Sequence, residues 1–469
     1  MISINRLFRK KPIAQLLLET QGEASLKKTL GALDLTMLGI GAIIGTGIFV
    51  LTGVAAAQHA GPGLVLSFII SGIACAFAAL VYAEFSSCVP VAGSAYTFSY
   101  VSLGEFMAWI IGWDLMLEYL LAASTVAIGW SGYFQMLLNG FGIYLPVWAS
   151  GALGTAPGAL LNVPAVVIAL LITTLLSLGV KQAARFNNAI VFIKLAVILL
   201  FIVVAFRYVK PENWTPFLPF GFKGVMGGAA IVFFAYIGFD AVSTAAEEVI
   251  DPKRDLPRGI IASLIVCTIL YIIVSLILTG VVPYKLLDVA APVAFALHYI
   301  HQDWAAGIIS VGAMGGITTV LLVMLYGQTR VFFAMSRDGL LPKVFSNVHP
   351  KYKTPFLSTW LTGITVAIIA GITPINTVAE LVNIGTLSAF VFVSIGVIVL
   401  RKTQPDLPRS FRVPWVPLVP ILAAVFCLTL MVFLPLITWI RFLVWLAIGL
   451  IIYFGYGMSH SVLGKSMKK

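Results

Sequence analysis

The sequence is short of charge. Asp, Glu, Lys and Arg make up 10% of its 469 residues, against 60% hydrophobic residues and a mean hydropathy of +1.04. So much apolar surface cannot be hidden inside a water-soluble domain, which excludes a soluble fold and implies a polytopic membrane protein. Cysteine is scarce as well. Cys75, Cys88, Cys267 and Cys427 stand alone in or beside apolar runs with no CxxC spacing, which argues against disulfide or metal roles and for small packing residues. No G-x-x-x-x-G-K-[ST] loop is present: the tail's Gly464-Lys-Ser has Ser459 where the motif needs glycine, so an ATP-driven pump is excluded. HExxH is also missing, and the His298 and His301 pair beside an outer loop is expected to face solvent rather than a metal. A membrane-embedded enzyme therefore has little support. Residues 1–32 are polar and basic and the first apolar run is too long for a signal core, so no cleavable leader is expected.

What the chain has in abundance is apolar runs of about 20 residues, the length that crosses a bilayer as helix. They fall near 33–57, 63–89, 97–127, 160–179, 186–206, 224–249, 258–282, 303–334, 356–373, 377–400, 416–434 and 438–457, hereafter spans one to twelve. Cytoplasmic loops collect Lys and Arg. With the N-terminus inside, 23 of the 29 basic residues are assigned to inner segments and 5 to outer loops, and the one that remains, Lys194, lies within a span. Both termini are thus expected in the cytoplasm. Topology accounts for the net charge of +11, and nucleic-acid binding has no support.

Span one contains Gly39-Ile-Gly-Ala-Ile-Ile-Gly-Thr-Gly-Ile-Phe49, with glycines at 39, 41, 45 and 47. Glycine weakens a helix by about 1 kcal/mol relative to alanine. In a bilayer, a broken helix survives only where its freed backbone groups face protein, ligand or water. A second interruption in the corresponding place of a second half is the mark of a transporter built from repeats. Span six supplies it: Val232-Phe-Phe-Ala-Tyr-Ile-Gly-Phe-Asp-Ala-Val-Ser-Thr244 carries Gly238 and Asp240 in its middle. One glycine-rich span alone would be read as close helix packing. Two breaks, one bearing a carboxylate, favour a binding site.

Asp114, Glu118, Lys194 and Asp240 all fall inside spans. Charges there are costly and face a bundle interior or a water path. Asp114 and Glu118 share one helix face, being four residues apart. Asp114 is expected nearer the outer rim. Glu118 has no local cation, so it either locks helices together or serves a water and proton path. Lys194 lies about 7 to 8 Å inside span five by helical rise. It either snorkels to the inner headgroups or turns inward, where a desolvated ammonium can release its proton as a proton-coupled carrier requires.

These stretches, with Ala246-Glu-Glu-Val-Ile-Asp-Pro-Lys-Arg-Asp-Leu-Pro257 after span six and Arg330 with Ala334-Met-Ser-Arg-Asp-Gly-Leu-Leu-Pro342 after span eight, resemble the amino acid, polyamine and organocation transporter superfamily. Within it they resemble bacterial relatives of the cationic amino acid transporters, over about residues 30 to 457. The resemblance implies an all-α fold of twelve transmembrane helices in an inverted five-plus-five repeat with broken first and sixth helices. It implies a cytoplasmic segment 1–32, a first repeat 33–206, a second 224–400, two extra spans over 416–457 and a cytoplasmic tail 458–469. It implies an amino acid bound between the breaks, the carboxylate on amides around Gly45, Thr46 and Gly47, where helix ends favour an anion. The ammonium would lie on carbonyls of Phe234, Ala235 and Ile237, Phe234 capping the pocket and Met324 lining it. It places Lys194 at the coupling position of proton-driven relatives, with Glu118 and Asp240 as its partners in coupling. The expected function is proton-coupled amino acid import across the bacterial plasma membrane, with protons as coupling ion and no cofactor. Partners are the bilayer and, as in some relatives, a single-span subunit. The substrate's charge stays open, and so do exchange, channel and sensor functions.

Overall fold

The computed structural model describes residues 7–13, 30–89, 94–178, 183–246, 249–352 and 354–466. Among these residues the regular structure is helical, interrupted by two isolated β-bridges, Leu30 to Val249 and Ser150 to Asn162. Among the described residues eight helical stretches are long and apolar enough to cross a membrane, and four apolar helices, Ala32–Ile43, Val163–Leu178, Phe356–Ile372 and Leu418–Val432, are shorter. Helix occupies each of the twelve intervals read from hydropathy. Part of the expected 1–32 segment, Glu247 and Glu248 of the span-six motif, and the last residues of the tail lie outside the described residues.

Span three departs from expectation. In place of one helix over 97–127 there are two, Ser94–Ser102 and Glu105–Gly140. The Leu103 and Gly104 amides both donate back to the Ser99 carbonyl, and Gly104 sits at φ +104°, a conformation that suits glycine. A hydropathy window cannot register a one-glycine turn between two apolar helices. Asp114 consequently lies in the first third of the long helix, toward its Glu105 end. Span five begins earlier than expected and runs Ala183–Ala205, which places Lys194 near its middle.

Spans one, two, six and seven pack on one another, and spans three, four, eight and nine pack on one another. Span five lies against spans one, seven and eight, and span ten against spans two, three and eleven. The described segments 7–13 and 461–462 meet at the Glu105 end of span three. The buried Glu105 carboxylate accepts two hydrogen bonds from Arg9, at 2.8 and 3.0 Å, one from Tyr100 and one from Ser461 of the tail. Lys11 pairs with Asp338 at 3.1 Å, and Val462 N–H donates to the Asp338 carbonyl. The described residues Arg9, Lys11, Ser461 and Val462 therefore share one face of the molecule.

Candidate functional site

The first break falls where the glycines predict it. Helix Ala32–Ile43 stops at Ile44, whose ψ of 106° is extended, and a π-helical turn Gly47–Leu51 restarts the span. In span six, Gly221–Val232 tightens to a 3-10 turn over Phe233–Tyr236, opens at Ile237 and Gly238, and resumes at Ala241–Thr244. Gly238 takes φ +120°. A Cβ on Gly47 would overlap the backbone of Ala235, so the breaks meet at a distance only glycine allows.

Between them lies a narrow cavity, with room of about 10 Å³, less than a water molecule's share of the liquid. Gly45, Thr46, Gly47, Phe234, Ile237 and Met324 line it, which is six of the seven expected substrate residues. Ala42, Ile43, Ala122, Val126 and Val320 complete the wall. All of these residues are buried. The seventh, Ala235, packs beneath Gly47 instead. No charged side chain lines the cavity among the described residues, and Thr46 Oγ1, 1% exposed as a residue, has no hydrogen-bond partner there.

The backbone groups around the cavity are ordered by their surroundings. Phe49 N–H returns to Gly45 O at 3.2 Å, so the Gly45–Gly47 amides stand at the start of a helical turn, where N–H groups lack intrahelical acceptors. Of the three expected ammonium acceptors, the Phe234 carbonyl accepts Ile237 N–H at 3.2 Å and the Ala235 carbonyl accepts the Tyr271 hydroxyl at 2.9 Å. Each carbonyl retains a second lone pair. Tyr271 is a residue that the sequence reading missed, since a tyrosine in an apolar helix carries no signal of its own.

Lys194 is 0% exposed, and its ammonium donates to the carbonyls of Gly41, at 2.6 Å, and Ile44, at 2.9 Å. It turns inward and does not snorkel. Gly316 of span eight makes room for the lysine stem, where a Cβ would crowd its methylenes. Span ten repeats this arrangement at the other break: Asn383 Nδ2 donates to the carbonyls of Ala230, at 2.8 Å, and Ile231, at 3.0 Å. Lys194 lies 153 residues from Gly41, and Asn383 lies 153 residues from Ala230.

The carboxylates form a separate group. Glu118 and Asp240, each 2% exposed, interact electrostatically, as do Glu118 and Asp114, while Tyr119 faces Asp240. Asp240 folds back on the amides of its own turn. Lys194 has Cys267 of span seven as its electrostatic neighbour, so the lysine and the two carboxylates expected to work with it are not in contact. Both Asp114 oxygens are buried, Oδ1 lies toward Gly385, and Ser388 is the polar side chain beside the carboxyl group. His298 pairs with Asp303 at 2.5 Å rather than with His301. Among the described residues no group of three or more His, Cys, Asp or Glu side chains could hold a metal ion. A second crevice near the Gly140 end of span three, lined by Gln135, Asn139, Thr155, Asn162 and Thr373 among others, contains none of the expected site residues.

A family model described as "Amino acid permease" matches residues 30–456. The "Methylthioribose transporter" of Bacillus subtilis (strain 168) is 58% identical over 462 residues, covering 98% of this chain and 100% of its own. The "Branched-chain amino acid permease BcaP" of the same organism is 60% identical over 462 residues, covering 98% of this chain and 99% of its own. "Cationic amino acid transporter 4, vacuolar" of Arabidopsis thaliana is 37% identical over 410 residues, covering 86% of this chain and 68% of its own.

Proposed function

The chain belongs to the amino acid permease family and is a multi-pass membrane transporter rather than an enzyme, and from that premise we propose that it imports neutral amino acids with apolar side chains, driven by protons. The observation that carries the substrate class is the cavity wall: Ile43, Val126, Ile237, Val320 and Met324 offer apolar contact, and no carboxylate is present to neutralise a cationic side chain. A buried cation without a partner is strongly disfavoured. The choice agrees with the printed name of the branched-chain relative. The methylthioribose relative is nearly as similar, so that compound belongs in the test, although it brings neither the carboxylate nor the ammonium that these two breaks suit.

The amino acid carboxylate binds the amides of Gly45, Thr46 and Gly47 with help from the Thr46 hydroxyl. The ammonium takes the free lone pairs of the Phe234, Ala235 and Ile237 carbonyls. Phe234 closes the pocket, and Met324 sets the room for the side chain. Spans one, two, six and seven rock against spans three, four, eight and nine, with spans five and ten as gating arms. Spans one to five, over 33–206, and six to ten, over 224–400, are the two inverted repeats. The matched donors Lys194 and Asn383, one on the fifth helix of each half and each spanning 153 residues to its break, support that division. Only the first of the pair can titrate. Protonated Lys194 holds the first half of span one in place; proton loss inside weakens that hold and promotes release. Glu118 and Asp240 form the second proton site on the far side of span one. Both termini face the cytoplasm of a bacterial cell, in keeping with the bias of basic residues.

Uptake of radiolabelled leucine, alanine, arginine and methylthioribose into sodium-free proteoliposomes tests this. Leucine accumulation that requires an inward proton gradient is the expected result. Accumulation of arginine but not leucine overturns the substrate class. Exchange without accumulation overturns coupling and points to an exchanger, and substrate binding without flux points to a sensor.

A further inference from the structure

Tyr271, on span seven, places one hydroxyl between two carbonyls that belong to different broken helices: Ile43 at the end of the first half of span one, 3.1 Å away, and Ala235 in the span-six turn, 2.9 Å away. Its ring is fully buried and tilted against Tyr236 and Phe68, which fixes where the oxygen sits. A phenol has one hydrogen to give. Two carbonyl oxygens therefore share a single hydrogen, and a buried carbonyl without a full hydrogen bond is costly.

We propose that Tyr271 is the positioning residue through which an ammonium-bearing substrate closes the first half of span one. The inference deepens the reading above and rests on it, because it takes the substrate ammonium to be the missing donor. When that ammonium donates to the Ala235 carbonyl, the Tyr271 hydrogen is released to Ile43 and ties the end of helix Ala32–Ile43 to span seven. When the substrate leaves, the hydrogen returns to Ala235 and the Ile43 carbonyl loses its tie. Lys194 holds the neighbouring Gly41 and Ile44 carbonyls, so the same helix end is under two controls, one set by the proton and one by the substrate. Removing the hydroxyl should separate binding from closure.

The test is hydrogen–deuterium exchange of the full-length protein in lipid nanodiscs, with leucine and with its deaminated analogue 4-methyl-2-oxopentanoate, alongside direct leucine binding. In the parent protein leucine should slow exchange in the segment 32–44 by about tenfold, whereas the analogue, which has no ammonium, should leave that segment unchanged even at saturation. In Tyr271→Phe, which keeps the ring, leucine should bind within about threefold of the parent but should no longer slow exchange at 32–44, and turnover should fall by about tenfold with little change in KM. Equal protection of 32–44 by the analogue in the parent overturns the proposal without any variant, and so does undiminished protection by leucine in Tyr271→Phe. Failure of the parent to bind leucine at all overturns the substrate reading beneath it, and that result is distinct from the other two.

Discussion

The Lys194 ammonium lies 2.6 Å from the Gly41 carbonyl, joining the middle of span five to the last turn before the break in span one. That single contact makes an intramembrane charge the cap of a helix end. It also makes the stability of the break depend on a group that can carry or lose a proton.

Lys194→Ala is expected to abolish proton-driven accumulation of leucine while leaving counterflow exchange measurable. It strips the Gly41 and Ile44 carbonyls of their donor, at a cost of about 1–3 kcal/mol for each group left unsatisfied, so the detergent-solubilised variant should also melt at a lower temperature. Uptake in proteoliposomes at several external pH values checks the first part. Unchanged pH-dependent uptake would remove the lysine from coupling.

Thr46→Val separates stability from affinity. The Thr46 hydroxyl is buried without a protein partner, so replacing it with a methyl group should leave the ligand-free melting temperature unchanged or slightly higher. Leucine affinity should fall by about tenfold, the worth of a hydrogen bond to a charged group. Calorimetric titration and thermal melts on the same preparation check both signs. A parallel loss of stability and affinity would mean that the hydroxyl supports the fold instead.

Met324→Ala enlarges the cavity on the side lined by Val320 and Met324. The ratio of kcat/KM for phenylalanine over valine should rise by on the order of tenfold, the scale that one or two methylene groups set in an apolar pocket. Competition of unlabelled amino acids against labelled valine reads the ratio. No change would place the side chain elsewhere in the site.

Arg9→Ala removes the cation from a pair whose side chains are 7% and 0% exposed and leaves Glu105 buried with its charge. Breaking a buried pair from one side costs about 3–5 kcal/mol. A clear drop in melting temperature is expected, with leucine affinity in the central cavity little changed. If Glu105→Gln is introduced in the same chain, part of the loss should return, because the uncompensated charge is gone.

The sequence by itself determined the class of molecule and where two of its helices break. Scarce charge and long apolar runs leave no choice but the membrane, and the glycines of residues 39–47 and Gly238 mark where two helices cannot continue. Those signals are local, so they are legible in one dimension. The expected cavity residues Gly45, Thr46, Gly47, Phe234, Ile237 and Met324 were readable for the same reason, once a resemblance had joined the two breaks. What the sequence could not decide was direction and partnership. Whether Lys194 snorkels or turns inward depends on carbonyls about 150 residues away, and local sequence around the lysine holds no trace of them. Tyr271 and Asn383 look like ordinary residues of apolar helices until packing sets their polar atoms against backbone groups that the breaks have freed. The grouping of Glu118 with Asp240, apart from Lys194, likewise follows from which helices face each other. A bilayer forces every freed carbonyl to find a donor inside the protein, and only the tertiary structure decides which side chain supplies it.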